Sequence, residues 1–335
     1  MKLTSFASVI ALASILTGCA TKPVQPDWVA GESAKYPGAQ YLSGRGIAGS
    51  QEEARDRARA DLAKVFQVAV VADSEDVQSF KSDAAGGAGQ YEGQATRRIS
   101  TRTDQIVRGI QIAELWQDPA TRNHYALAVL PRLQAAASLR QQIGQLDEGI
   151  RTNIDQSRKS TDLFLKIAAA SRALDLQMER DGVQKSLQVV DVTGRGLDPQ
   201  FSAPKLKADL DELLKRVRVA SQISGDSPAG LTEIVSGALA QAGFMLETGD
   251  HPDFALKARM NLTDMGLVNG WYWQRGTVEV TLVESANGRV RGTKRWPIKA
   301  SAIDKESAAK RAMDQADEVL KKELGGAIIE MATSR

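Results

Sequence analysis

Few side chains in this sequence are of the types that carry covalent or metal chemistry: one cysteine, Cys19, and two histidines, His124 and His251, among 335 residues. Zinc and iron–sulfur centres draw on several Cys or His ligands, so an internal metal site is not expected. Neither histidine is accompanied by a G-x-S-x-G, an H-E-x-x-H or another nucleophile arrangement. His124 stands beside Tyr125 in a strand-like run, and His251 lies in the turn-like Asp250-His251-Pro252-Asp253. Asp250 and Asp253 could serve as acid and base in a hydrolase, although aspartate is common in turns because its side chain bonds nearby backbone. Gly44-Arg45-Gly46-Ile47-Ala48-Gly49 fits the dinucleotide pattern G-x-G-x-x-G. The preceding Tyr41-Leu42-Ser43 is short and polar for a buried parallel strand, so the plainer reading is a tight entry from strand to helix.

Cys19 has a more specific setting. Lys2 gives a positive start, Phe6 to Leu16 an apolar stretch of signal-peptide length, and Leu16-Thr17-Gly18-Cys19 ends it. This resembles the bacterial lipobox, in which the thiol receives a diacylglyceryl group, the peptide is cut before the cysteine and the new amine is acylated. Two or more chains convert marginal membrane binding into stable anchoring, at about 0.8 kcal/mol per buried methylene. The resemblance also implies the outer membrane, because Ala20 stands where such lipoproteins carry Asp as an inner-membrane retention signal. With Cys19 acylated, no thiol is left for a disulfide, and packing alone must hold the fold.

The remainder has the composition of a folded body. Hydrophobic residues make up 42% of the whole sequence, enough for two or three domains. Lys and Arg total 43 against 41 Asp and Glu, and a net charge of +2 gives no general field to gather nucleic acid. No apolar run approaches the roughly 20 residues of a membrane-spanning helix.

Thr21 to Pro26 reads as a tether, and residues 41 to 48 as extended chain. Ser50 is placed to cap a helix through QEEARDRARADLAKVF, with Glu52 and Glu53 at its positive end and Ala54, Ala58, Leu62, Val65 and Phe66 on one side. The small residues let that helix lie close on a sheet. Val68, Val70 and Ala72 repeat with period two, and residues 99–112 and 124–130 also read as strands, which makes the order β-α-β-β-β. A long helix follows from Pro131. Leu139, Ile143, Leu146 and Ile150, then Leu163, Ile167, Ala170, Leu174 and Met178, form two coiled-coil-like seams. Ser157-Arg158-Lys159-Ser160 interrupts them, so the connector is a hairpin or a rod.

After the Gly- and Pro-bearing stretch 193–199, a further domain can be drafted. Helices are expected at 205–215, 231–242 and from 305 past 323, with Ala309, Ala312, Ala316, Val319, Leu320 and Leu324 inward. Strands are expected at 217–223, 254–262, 271–283 and 289–300. At Asn287-Gly288 a two-residue loop would bury Arg291 and Arg295 with Val278, Val280 and Leu282. A three-residue loop, 286–288 with Gly288 left-handed, instead groups those aliphatics with Val290, Trp296 and Ile298. Arg289, Arg291, Arg295 and Lys299 then share the opposite face and could contact an anionic lipid or glycan, or stand as a solvated face that resists edge pairing. Trp271 and Trp273 lie on one strand face; they would pack under the last helix or form a partner platform.

Pro26-Asp27-Trp28-Val29, Tyr41-Leu42-Ser43-Gly44-Arg45-Gly46, the helix with Ala54, Ala58, Leu62 and Ala63, and Val68-Ala69-Val70 together resemble the LPP20 family of bacterial outer-membrane lipoproteins, over about residues 26–138. The same stretch is similar to the amino-terminal domain of a flagellar assembly factor. In the order of its elements alone, the C-terminal part loosely resembles the α/β domains at the start of the Tol-system protein TolB and in lipoprotein activators of penicillin-binding proteins. These resemblances imply envelope scaffolding or assembly by protein contacts, with no catalytic residues to carry over.

The expected architecture is α+β. Two small α/β sandwich domains of β-α-β-β-β-α order follow a signal peptide (1–18) and a lipidated tether (19–27). They occupy 28–138 and 197–335, joined by a helical connector at 139–196. The expected function is a non-catalytic scaffold or regulatory factor, anchored to the outer membrane through Cys19 with its body in the periplasm. Its partners would be the membrane and envelope proteins or peptidoglycan-associated machinery, not nucleic acid. No cofactor is expected beyond the covalent diacylglycerol and N-acyl chains. The alternatives are an anionic lipid or glycan binder and a carboxylate-dependent hydrolase.

Overall fold

A computed structural model describes residues 24–82, 109–247, 249 and 251–333, with side chains left out for 67–82. After a short turn of helix, α1 (Asp27–Ala30), the first unit is a three-stranded antiparallel sheet in the order β1 (Tyr41–Ala48), β3 (His124–Pro131), β2 (Gln111–Gln117). Helix α2 (Gln51–Ser82) crosses one face of it. Ser50 Oγ accepts from the Glu53 amide at 3.3 Å, the cap read from the sequence. Residues 68–72 belong to this helix and are not a strand. Over five residues a Val/Ala run satisfies period two and helical packing alike, and chain continuity decided for helix. Of the strand expected at 99–112, residues 99–108 lie outside the described set, and the observed strand begins at Gln111. The described order is therefore β-α-β-β.

Helices α3 (Arg132–Lys159) and α4 (Leu163–Val190) form an antiparallel hairpin. Pro131 is the residue before the first helical position. The chain reverses at Ser160, and Asp162 Oδ1 caps α4 by accepting from the amides of Phe164 (2.9 Å) and Leu165 (3.1 Å). At the open end, Arg132 donates to the carbonyls of Val189 (3.0 Å) and Val190 (2.8 Å), so a cation sits on the negative terminus of α4.

The hairpin is shared between two cores. Ala136, Leu139, Ile143 and Leu146, with Val183, Leu187 and Val190, pack with Ala54, Ala58, Leu62 and the first sheet. Ile150, Phe164, Ile167 and Leu174 pack instead with the second unit. Arg180, 1% exposed, locks the hairpin: Nε pairs with Asp147 at 3.1 Å, and Nη2 donates to the carbonyls of Leu197 (3.1 Å) and Asp198 (3.0 Å). Thus α3, α4 and the following loop meet on one guanidinium.

The second unit has a five-stranded sheet in the order β5 (Met245–Leu246), β4 (Arg218–Ile223), β6 (Phe254–Val268), β7 (Trp271–Glu284), β8 (Val290–Ala302). β4 is parallel to β5 and β6, and the last three strands are antiparallel. Helices α5 (Ala203–Leu214), α6 (Leu231–Gln241) and α7 (Lys305–Thr333) contribute to the same core as the inward strand residues Leu256, Ala258, Met260, Val278, Val280, Leu282, Trp296 and Ile298. On α7 the inward stripe is Ala308, Ala312, Ala316, Leu320 and Leu324, so Ala309 and Val319 fall at its edge.

The β7–β8 pairing is Val278↔Trp296 and Val280↔Lys294, the register expected from keeping Arg295 out of the core. The turn differs. Glu284 N donates to Arg289 O at 2.9 Å and Gly288 N to Glu284 O at 2.9 Å, which leaves four residues, 285–288, in the loop with Gly288 at φ 70°. A bulge between Leu282 and Val283 absorbs the extra residue, and it turns Val290 to solvent instead of grouping it with the buried aliphatics.

Candidate functional site

Cys19, with Leu16, Thr17 and Gly18, lies outside the described residues. The folded body starts close behind it. Trp28 is buried against Leu127 and Val129 on the face of the first sheet opposite α2, and its Nε1 donates to Glu114 Oε2 at 2.7 Å. Lys35 Nζ holds the other oxygen of Glu114 at 2.9 Å. A cleft of about 330 Å³ along β2 is lined by Arg55, Arg59, Ile112 and the same Glu114, whose two oxygens are thus both engaged.

The glycine pattern serves packing. A Cβ on Gly44 would lie 2.5 Å from the Leu62 amide nitrogen, and one on Gly46 would collide with the Ala54 carbonyl and the Ala58 amide, so α2 rests on the backbone of β1. β1 is antiparallel to its neighbour β3, unlike the first strand of a dinucleotide fold. His124 Nε2 lies 3.3 Å from the Gln117 amide nitrogen on the adjacent strand, and His251 is exposed. Asp250 lies outside the described residues. Asp253 is fully used as a structural group: its oxygens accept from Arg218 Nη2 (3.0 Å), Nε (3.3 Å) and backbone N (3.0 Å). Burial is the largest single influence on this carboxyl and opposes its charge, yet the Arg218 contacts together hold its pKa below the usual Asp value.

The surface with a distinct character is the face of the second sheet turned away from its helices. Strand alternation puts Lys257, Arg259, Arg275, Arg295 and Lys299 there, with Glu279 as the one carboxylate in the same rows. Glu279 is pinched between Arg295 and Arg259 (Nε–Oε1 2.9 Å), and its pKa is lowered, first by the Arg295 hydrogen bond. Of the four cations singled out from the sequence, Arg295 and Lys299 lie in these rows. Arg291 sits in the bulge and bridges Glu284 at 3.0 Å, while Arg289 is exposed beside the turn. The four therefore do not form one patch, because the bulge at Arg291 breaks the alternation on the turn side of Gly292.

Trp271 and Trp273 are on this open face and not under α7. Lys299 Nζ sits 4.9 Å from the centre of the Trp273 ring. Beyond them the β6–β7 ribbon ends in a two-residue turn, Asn269 (φ 53°) and Gly270 (φ 81°), which is the type I′ geometry that matches strand twist. Around that turn Met265 is 53% exposed, Leu267 59%, Val268 46% and Trp271 44%, and Ile303, just past the paired end of β8, is 75% exposed. The sequence reading ended this strand at Leu262 and missed the cluster. The Asn-Gly pair between Val268 and Trp271 was the available signal.

Among the described residues, no helix is long and apolar enough to cross a membrane. Comparison with known proteins places the LPP20 lipoprotein family model on residues 26–131. The match stops there and gives no support to a TolB-like reading of the C-terminal part. No curated protein matches the chain. Among solved structures, the chain is similar to a secreted protein of the human pathogen Helicobacter pylori (17% identity, 88% of this chain and 99% of that one, TM-score 0.38). It is also similar to a minor lipoprotein of Acinetobacter baumannii (12% identity, 36% of this chain and 90% of that one, TM-score 0.26).

Proposed function

Starting from an LPP20 lipoprotein segment at residues 26–131, we propose that the chain is a lipoprotein anchored to the outer membrane through acylated Cys19. Its periplasmic body acts without catalysis, by holding envelope proteins or peptidoglycan-associated machinery. The observation that carries this reading is the position of the family match, which begins a few residues behind the single cysteine and its lipobox-like Leu16-Thr17-Gly18. A body whose two cores share one helical hairpin suits a scaffold, since the hairpin packs into both units. Asp253, one of the two carboxylates of the hydrolase alternative, is paired with Arg218, which favours the non-catalytic reading.

A second reading is supported by the basic rows of the open sheet face: that face binds an anionic lipid or glycan. Charge reversal at Arg275 and Lys299 separates the two, since protein capture at other surfaces survives it and anion binding does not.

The test is intact mass of the purified full chain together with cross-linking in envelope membranes, on the wild type and on Cys19→Ala. An acylated mass and a reproducible envelope partner lost in Cys19→Ala support the anchored scaffold. An unmodified Cys19 overturns the anchor, and acylation without any specific partner overturns the scaffold.

A further inference from the structure

We propose that the tip of the β6–β7 hairpin is a second membrane contact: Met265, Leu267, Val268 and Trp271 enter the interface of the anchoring bilayer, and Arg275 and Lys299 behind them meet anionic phospholipid headgroups. The inference rests on the lipid-anchor reading and adds to it a defined attitude of the body on the membrane.

The register makes the tip apolar on both sides of the ribbon. Val268 pairs with Trp271 on the open face, and Leu267 pairs with Tyr272 on the other. Elsewhere among the described residues the large exposed apolar residues, such as Leu133 and Val192, stand singly, apart from the adjacent pair Met245 and Leu246 on the short edge strand β5. Here four of them fall between positions 265 and 271 around one turn, and Ile303 follows the end of the neighbouring strand. The ribbon is also tied down below the turn. Asp264 accepts from the Gly266 amide at 2.9 Å across the bulge, and Lys305 at the start of α7 clamps the other Asp264 oxygen at 2.8 Å.

The charges behind the tip select the occupant. Arg275 and Lys299 are directly opposite on β7 and β8, an arrangement that is destabilising unless an anion or a ring accepts the charge. The Trp273 ring already takes part of it from Lys299. Apolar residues, then tryptophan, then cations is the order met on passing from acyl chains through the interface to the headgroups. Strand addition by a protein is disfavoured at the neighbouring edge, because α7 covers the outer side of β8: Gln315 Oε1 accepts from the Lys299 amide (2.9 Å), and Arg311 donates to the Ser301 carbonyl (2.7 Å). The tether adds a geometric argument. From Cys19 to the buried Trp28 the chain spans at most about 30 Å, so an acylated protein keeps its body at the bilayer, where a weak contact becomes intramolecular.

The experiment uses the full acylated chain, its acylation checked by intact mass, in vesicles of phosphatidylcholine alone or with an equal part of phosphatidylglycerol. Leu267→Cys, or Ala286→Cys at the opposite end of the sheet, carries a polarity-sensitive fluorophore, and lipids brominated on the acyl chain act as quenchers. Expected are a blue shift and quenching at 267 with phosphatidylglycerol, no change at 286, and loss of the effect in Arg275→Glu/Lys299→Glu. A water-exposed signal at 267 in acylated protein overturns the contact and leaves the anchor standing. Shielding at 267 that grows with protein density and ignores lipid charge assigns the tip to a second copy and overturns it equally. If Cys19 proves unmodified, the anchor reading fails, and the absence of any shift at 267 on adding the charged vesicles removes the hairpin proposal as well.

Discussion

A Cβ placed on Gly44 would lie 2.6 Å from the carbonyl oxygen of Ala58, so strand β1 and helix α2 are in contact backbone to backbone. Ala54 and Ala58 are both fully buried on the helix side of this contact. Separating the two backbones far enough for a methyl group would open the core that Leu62 and Phe66 fill. Gly44→Ala should therefore destabilise the protein by about 3 kcal/mol, at the upper end of overpacking costs. Gly49→Ala, where nothing lies within 4 Å, should change stability by less than about 0.5 kcal/mol. Urea denaturation of both variants checks this; equal midpoints would show that the contact can relax.

Arg180 offers a different test. Removing one member of a buried ion pair leaves its partner's charge uncompensated, and two loop carbonyls lose their donor as well. Arg180→Ala should cost about 3 kcal/mol. Arg180→Lys should recover less than half of it, because an ammonium cannot span Asp147 and the loop as the planar fork does. Limited proteolysis should find new cleavage near Leu197 in both. Unchanged protection of that loop would mean that it is held by other contacts.

Glu279 determines an acid limb. Its pKa lies below the usual 4.5, first through the Arg295 hydrogen bond and then through Arg259, with burial opposing. A carboxyl whose pKa is lowered on folding stabilises the fold above the unfolded value, and the contribution disappears as pH falls through the folded value. The gap in thermal midpoint between wild type and Glu279→Gln should thus be full at neutral pH and shrink below pH 4.5. Protonation also leaves two arginines on the open face without their counter-charge. Retention on an anionic resin should rise in the variant at neutral pH and match the wild type in acid. A gap independent of pH would show that the variant loses stability for a reason other than the missing carboxylate charge.

Gly270 is held at φ 81° in the tip turn with Asn269 at 53°. Gly270→Ala should cost about 1 kcal/mol, because a Cβ disfavours the left-handed region. Nothing else touches that position, so Gly38→Ala, also in open space, is the matched control. Amide exchange of the β6–β7 ends should accelerate only in the first variant; equal rates would mean that the turn does not hold the ribbon.

Much of this fold was legible because local pattern and final burial agree. The seam Leu139, Ile143, Leu146, Ile150 is buried as spaced, and Ser50, Asn287-Gly288 and the Gly243 stop lie where their chemistry places them. The β7–β8 register was legible for a stronger reason, since the alternative pairing would have buried arginines. The loop that delivers it was not, because a three-residue turn and a four-residue turn with a bulge lead to the same pairs farther along the strands. The helical state of residues 68–72 was hidden where two periodicities coincide.

What the sequence by itself determined was chemistry and periodicity: one cysteine in a lipobox-like setting, few catalytic side chains, and which residues of each element must avoid water. The helices cover the aliphatic side of the second sheet, as the register read from the sequence requires, but only the tertiary structure decided that they do not cover the two tryptophans. That choice put Trp271 and Trp273 with the basic rows in the open. It also decided that the hairpin's two ends belong to different cores. Alternation divides a strand into two faces but does not say where along a face another element will lie. That is settled by contacts between residues far apart in the chain, such as Trp296 with Glu323 and Arg180 with Asp147.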